Sequence, residues 1–386
     1  MPPSATHRSP GPMKLIPLDE VRSQLRSGVP LPWGVRDADG KLLLGKGHVI
    51  ANDAMVNALV ARGMFVDADE AKRSRNEVVE QPAATFVARW NALHTRLANL
   101  LRAPADPAFL QRLRECVAVI SLFGDRNTDQ LIYTIVRQDA EKPEFERYTG
   151  YGVSHALHCA ALVSMLGRRA EWPAPKLESA IGAALTMNLS IVELQGQLAI
   201  RGGKLNKAQA ETIKGHPVAS AALLRQAGLD DPAWLEAVAQ HHESPGGAGY
   251  PAQVAEPGEV SQMLRYVDIF LAKHAGRSDR DPVPAQQAAR DLFVSSKGHP
   301  VAAMLIKEFG IYPPGCFVKL VSGEAAIVVR RGANANTPVA AALTNRNGDA
   351  ISGHPKRDTS QSQYAIVSSL PDRAVNVRVP AERLFQ

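Results

Sequence analysis

Apolar residues recur every three or four positions through the middle of the chain and alternate near its two ends, a pattern that predicts a helical block flanked by short strands. From Pro82 to Arg147 the pattern is helical. Phe86, Trp90, Leu93, Leu97, Leu100 and Leu101 form one stripe, and Phe109, Leu113, Val117, Ile120 and Ser121 form another after the breaks at Pro104 and Pro107. Leu131 to Val136 continues it. These helices either cover the next block as its first layer or pair with a second copy across a homodimer. Over 153–167 the stripe is His155, Cys159, Leu162 and Leu166, and over 176–190 it is Leu177, Ile181, Ala184 and Asn188 with Met187 alongside. Over 231–242, Leu235, Val238 and His242 are shadowed by Trp234, Val238 and His241. Polar groups are therefore aimed at the interior from three predicted helices.

The flanks read differently. Val21, Leu25 and Val29 mark a short helix, and apolar runs on either side of Asp39-Gly40 signal a hairpin. Asn52-Asp53 opens a helix through Met55, Leu59 and Val60 that stops at Gly63, before the strand-like Met64-Phe65-Val66. Asn206 with Gln209 three residues later is a capping box that starts the helix running to Lys214. From Ile311 alternation returns around Ser322-Gly323 and Asn347-Gly348, an antiparallel pattern. The expected organisation is a proline-rich disordered tail over 1–12, a small α/β cap over 13–68, a charged linker over 69–81, a helical domain over 82–310 and a β domain over 311–386.

The order of chemistry-bearing residues in the helical block resembles the HD-GYP domain, a branch of the HD phosphohydrolases associated with cyclic di-GMP. The matching parts are His155 opening a helix, Lys214 to Pro217, the run His241-His242-Glu243, Gly249-Tyr250-Pro251, and Asp268 on the following helix. The resemblance implies a mainly α fold, an HD-type helical bundle between the two small sheet-bearing units. It implies metal ligands at His155, His216, His241, His242 and Asp268, and it places Lys273, Arg277 and Arg280 toward ligand phosphates, where a guanidinium fork suits the oxygens. The same resemblance marks what is missing. Met187, Asn188 and Ile191 stand at the family's His, Asp and Lys positions, and Gly246 stands where the family usually has aspartate. An amide cannot offer anionic oxygens to two cations, and a thioether suits copper(I) better than iron or manganese. His216, His241 and His242 could still hold one divalent ion of iron, manganese or zinc, whereas His155 and Asp268 would lack their bridging partner.

Composition narrows the reading further. The 386 residues carry a net charge of +6, and 5% are aromatic, without the clustered basic and stacking residues of a nucleic-acid surface. Cys116, Cys159 and Cys316 are odd in number and far apart, which points to neither a disulfide framework nor a zinc knuckle. No membrane span and no secretory leader are expected, so the expected location is cytoplasmic. Two functions follow from the resemblance. One is a signalling protein with a degenerate site, binding cyclic di-GMP or a GGDEF-type partner through the Gly-Tyr-Pro loop. The other is a metal-dependent cyclic di-GMP phosphodiesterase with a reduced, mononuclear site.

Overall fold

The computed structural model describes residues 14–25, 31, 33–46, 48, 50, 53–71, 85–137 and 150–385. The tail over 1–12, most of the linker over 69–81, Val29, and the helical pattern from 138 to 147 lie outside them. Packing divides the chain into two compact units, residues 1–84 and 85–386.

In the first unit, strands β1 (Leu15–Pro17), β2 (Val35–Arg36), β3 (Leu42–Leu44) and β4 (Phe65–Asp67) form an antiparallel sheet in the order β1-β4-β2-β3. The turn at Asp37 to Gly40 works as the dipeptide predicts. Gly40 takes φ 81°, and the Asp37 side chain accepts from the backbone N–H groups of Asp39 and Lys41. Helix α1 (Asp53–Ala61) ends at Gly63 with φ 64°. The helix expected around Val21 is a tighter 3-10 segment, Leu18–Gln24. Trp33, Val35 and Val66 are fully buried in this unit's core.

The second unit is built on α5 (Tyr151–Arg169), preceded by α2 (Phe86–Leu101), α3 (Phe109–Arg126) and α4 (Thr128–Arg137). Nearly every residue of α5 from Tyr151 to Gly167 is buried, as a helix apolar on all sides requires. Around it lie α6 (Ala174–Thr186), α7 (Val192–Arg201), α8 (Lys207–Gln226), α9 (Pro232–Gln240) and α10 (Glu259–His274). Close approach depends on small residues. A Cβ at Gly152 would stand 2.3 Å from the Val192 carbonyl, and one at Gly182 would stand 2.0 Å from the Trp234 ring, whose indole N–H donates to Thr186 Oγ1 at 2.9 Å. The capping box at Asn206 and Gln209 forms in both directions.

Helices α11 (Ala285–Ser295) and α12 (Pro300–Phe309) lead into β5 (Phe317–Leu320), β6 (Ala325–Arg330), β7 (Val339–Ala342), β8 (Lys356–Asp358) and β9 (Ile366–Leu370). This antiparallel sheet has the order β8-β7-β6-β5-β9, with its β5–β6 turn at Ser322-Gly323. Arg331 pairs with Asp129 at 2.6 Å and with the buried Glu308 at 2.7 Å, tying the sheet to the helices. Within Ala174–Arg201 an 18-residue window reaches the mean hydropathy, 1.2, of a membrane span, but 67% of that window is buried inside the structure.

Candidate metal centre and ligand cavity

Two helix endings deliver the central residues. Helix α6 stops at Thr186, with Met187 as its C-terminal cap and Asn188 leading into a 3-10 segment, Leu189–Ile191. Met187 stays in the apolar core, fully buried, while Asn188 faces a cavity. Helix α9 likewise ends at Gln240, with His241 as its C-terminal cap and His242 in the turn beyond. That break lets the adjacent imidazoles face the same space instead of diverging around a helix.

His216, His241 and His242 come together, each offering a nitrogen within 4.8 Å of the others. His216 Nδ1 lies 2.5 Å from the Ile213 carbonyl and His241 Nδ1 lies 2.7 Å from the Val238 carbonyl, contacts that need a proton on each Nδ1. Both Nε2 atoms then present lone pairs, and they face each other at 3.0 Å. No pair of neutral tautomers satisfies all three contacts. A shared proton is disfavoured because burial lowers the pKa of His216 and lowers that of His241 well below the usual histidine range. A cation between the rings resolves the conflict, so this donor set fits a metal ion. The backbone carbonyls hold the imidazoles in the ligating tautomer.

The second donor set is His155, Cys159 and Asp268, also within 4.8 Å of one another. His155 Nε2 lies 2.8 Å from Asp268 Oδ1, and Cys159 Sγ lies 3.5 Å from the same nitrogen. Burial acts to raise Asp268, but the His155 hydrogen bond and the neighbouring imidazoles outweigh it and hold the carboxyl below its usual range. Burial pushes the His242 pKa down to about 4, against the attraction of Asp268.

A cavity of about 240 Å³ joins the two sets. Tyr151, His155, Asn188, Gln195, His216, His242, Tyr250, Asp268 and Arg277 are among its lining residues. Asn188 Nδ2, Gln195 Oε1 and Arg277 Nε are buried with no hydrogen-bond partner among the described residues. Three unpaired polar atoms around one cavity mark it as a place for a polar ligand. Tyr151 stacks on His155 and Tyr250 stacks on His242, with ring centroids 5.7 and 4.6 Å apart.

The basic residues separate. Arg277 lines the cavity with its guanidinium 5.4 Å from the Tyr151 ring centre. Lys273 does not; it pairs with Asp291 at 2.6 Å. Arg280 turns back to donate to the Ala272 and Ala275 carbonyls at the end of α10. Lys273 and Arg280, expected toward ligand phosphates, each pair with a nearer partner and do not line this cavity. His158 stacks on Trp90 in the core. Sequence reasoning also passed over Cys159 as a donor, although it shares a stripe with His155 one turn away.

Glu243 positions the Gly249-Tyr250-Pro251 loop. It is fully buried and accepts from the backbone N–H groups of Ala252 at 2.7 Å and Val254 at 3.1 Å. Gly249 has no room for a side chain, since a Cβ would stand 2.4 Å from the Glu243 Cα. Glu243→Ala leaves two N–H groups without their acceptor and is expected to lower stability by about 2–3 kcal/mol. Urea denaturation checks this, and an unchanged midpoint would show that water replaces the carboxylate.

The HD domain family profile matches residues 137–299. The cyclic di-GMP phosphodiesterase PA4108 of Pseudomonas aeruginosa is 27% identical over 289 residues, 69% of this chain and 70% of that protein. Bd1817 of Bdellovibrio bacteriovorus, described as an HDG"Y"P protein, superposes with a TM-score of 0.47 and 15% identity over 77% of this chain and 98% of its own.

Proposed function

We propose that this chain is a cyclic di-GMP signalling protein of the HD-GYP family whose site binds ligand without efficient hydrolysis, a reading supported by the HD domain match and by the likeness to PA4108. The observation that carries this reading is Asn188. It lines the cavity shared by both donor sets, and its amide nitrogen is buried and unpaired. A carboxylate there could bridge two cations, but an amide offers one neutral oxygen and two donor hydrogens. The residues that would hold an ion in the first set are His216, His241 and His242. A bound divalent ion would supply Lewis-acid polarisation of a phosphate oxygen and a lowered pKa for water. This chain's own contribution would be to orient the ligand through Arg277, Asn188 and Tyr151. The conflict between the facing His216 and His241 nitrogens favours a second reading, a phosphodiesterase with one ion at the three imidazoles.

The pocket is tested by calorimetry with cyclic di-GMP at fixed salt. Binding at micromolar levels or tighter, about 8 kcal/mol, is the expected result for the wild type. Arg277→Ala should weaken it by about 1.5–3 kcal/mol through loss of a charge-assisted bond, with circular dichroism confirming the fold. No heat at tens of micromolar would sink ligand binding and favour a scaffold that meets a GGDEF-type partner through Gly249-Tyr250-Pro251.

A further inference from the structure

We infer that Cys159 is a metal ligand, and that His155, Cys159 and Asp268 form a thiolate-containing zinc site independent of the three-imidazole set. His155 and Cys159 are one turn apart on α5, and Asp268 comes from α10, packed against α5. Rigid elements therefore supply all three donors. Zinc bonds of about 2.3 Å to sulfur and 2.0–2.1 Å to nitrogen at a tetrahedral angle give an S···N edge of about 3.5 Å. The observed Cys159 Sγ to His155 Nε2 distance is 3.5 Å. The His155 to Asp268 separation is that of a hydrogen bond, 2.8 Å. Opening it by about half an ångström reaches the corresponding N···O edge.

Charge points the same way. With asparagine at 188, the site has one carboxylate fewer than a bridged pair of ions would need. A Cys159 thiolate restores that negative charge, and with Asp268 it balances a divalent cation, which lowers the cost of burying either sign alone. His155 and Asp268 line the cavity and Cys159 does not, so the sulfur is the inner vertex and the open position faces the cavity. A set containing thiolate and imidazole prefers zinc to manganese or magnesium. Binding breaks the Cys159 S–H bond and releases that proton to the buffer, and the His155 ring proton, on Nε2 in the hydrogen bond to Asp268, moves to Nδ1 so that Nε2 can ligate; no electron is transferred. This inference goes beyond the proposed function and does not require any nucleotide to bind.

Cobalt(II) is the probe, added to the full-length chain. A thiolate-to-cobalt charge-transfer band in the near ultraviolet is expected for the wild type. It should persist in the double variant Cys116→Ser with Cys316→Ser, where Cys159 is the remaining cysteine. It should vanish in Cys159→Ser, and zinc affinity at this site should fall by more than about 10-fold. His241→Ala should leave the band in place. Absence of the band from the wild type or from the double variant overturns the inference, and neither measurement requires Cys159→Ser to fold. A band that survives Cys159→Ser overturns it as well.

Discussion

Wild-type protein supplied with iron, manganese or zinc is expected to leave cyclic di-GMP uncleaved under conditions in which an intact HD-GYP enzyme linearises it. The reason lies at one position. A bridging carboxylate places two ions on one phosphate and one water, and metal effects of that kind are each worth several kcal/mol. Loss of about 4 kcal/mol is a rate about a thousandfold lower. Asn188 faces the cavity where such a carboxylate would act, and Met187 is packed in the core rather than presented to an ion. Separation of the reaction products by chromatography checks the expectation. Measurable linearisation that disappears in His241→Ala would instead establish the mononuclear phosphodiesterase.

Acid should destabilise the chelated, metal-free protein well before ordinary carboxylates titrate. His216, His241 and His242 are all held below the usual histidine range by burial, His242 at about 4. In the unfolded chain each titrates near 6.5, so between pH 6.5 and 4 the unfolded state binds protons that the folded state refuses. Stability therefore falls as pH falls through that window. Asp268 adds to the loss at lower pH. Its folded pKa is depressed, so its stabilisation is present above the unfolded value near 4 and is lost as pH falls toward the folded one. His242 alone corresponds to about 3 kcal/mol by pH 4, and the three imidazoles together to several, titrating as one coupled group. Denaturant midpoints measured in chelator from pH 7 to pH 4 give the curve. A flat curve would show that the imidazoles take up protons in the fold as readily as in the unfolded chain, and one unchanged in His242→Gln would remove His242 from the loss. Zinc should shift the loss to lower pH, because the ion competes with protons for the same nitrogens.

Much of the architecture follows from local pattern. The stripes at Phe86 to Leu101 and Phe109 to Ile120 are buried faces because helical periodicity places those side chains on one side whatever they pack against. Asp39-Gly40 and Ser322-Gly323 are turns because their backbone demands are local. The residue types at the site are equally readable, since the succession of His155, His216, His241-His242 and Asp268 survives translation into space as two donor groups.

What the sequence determined by itself was therefore the periodicity and the turns, which depend on residues within a few positions of each other, and the residue types available to the site. Tertiary structure decided their partners. Lys273, Arg277 and Arg280 look alike along the chain, yet Asp291 takes the first and the carbonyls at the end of α10 take the third, leaving Arg277 to the cavity. The ends of α6 and α9 turn Asn188 toward the cavity while Met187 stays in the core, and let His241 and His242 face one space. Cys159 forms a donor group with Asp268 only because α10 brings that carboxylate beside the His155 on its own stripe. Such choices depend on which groups from distant segments arrive within bonding distance, and a charge or a lone pair is satisfied by the nearest complement in space.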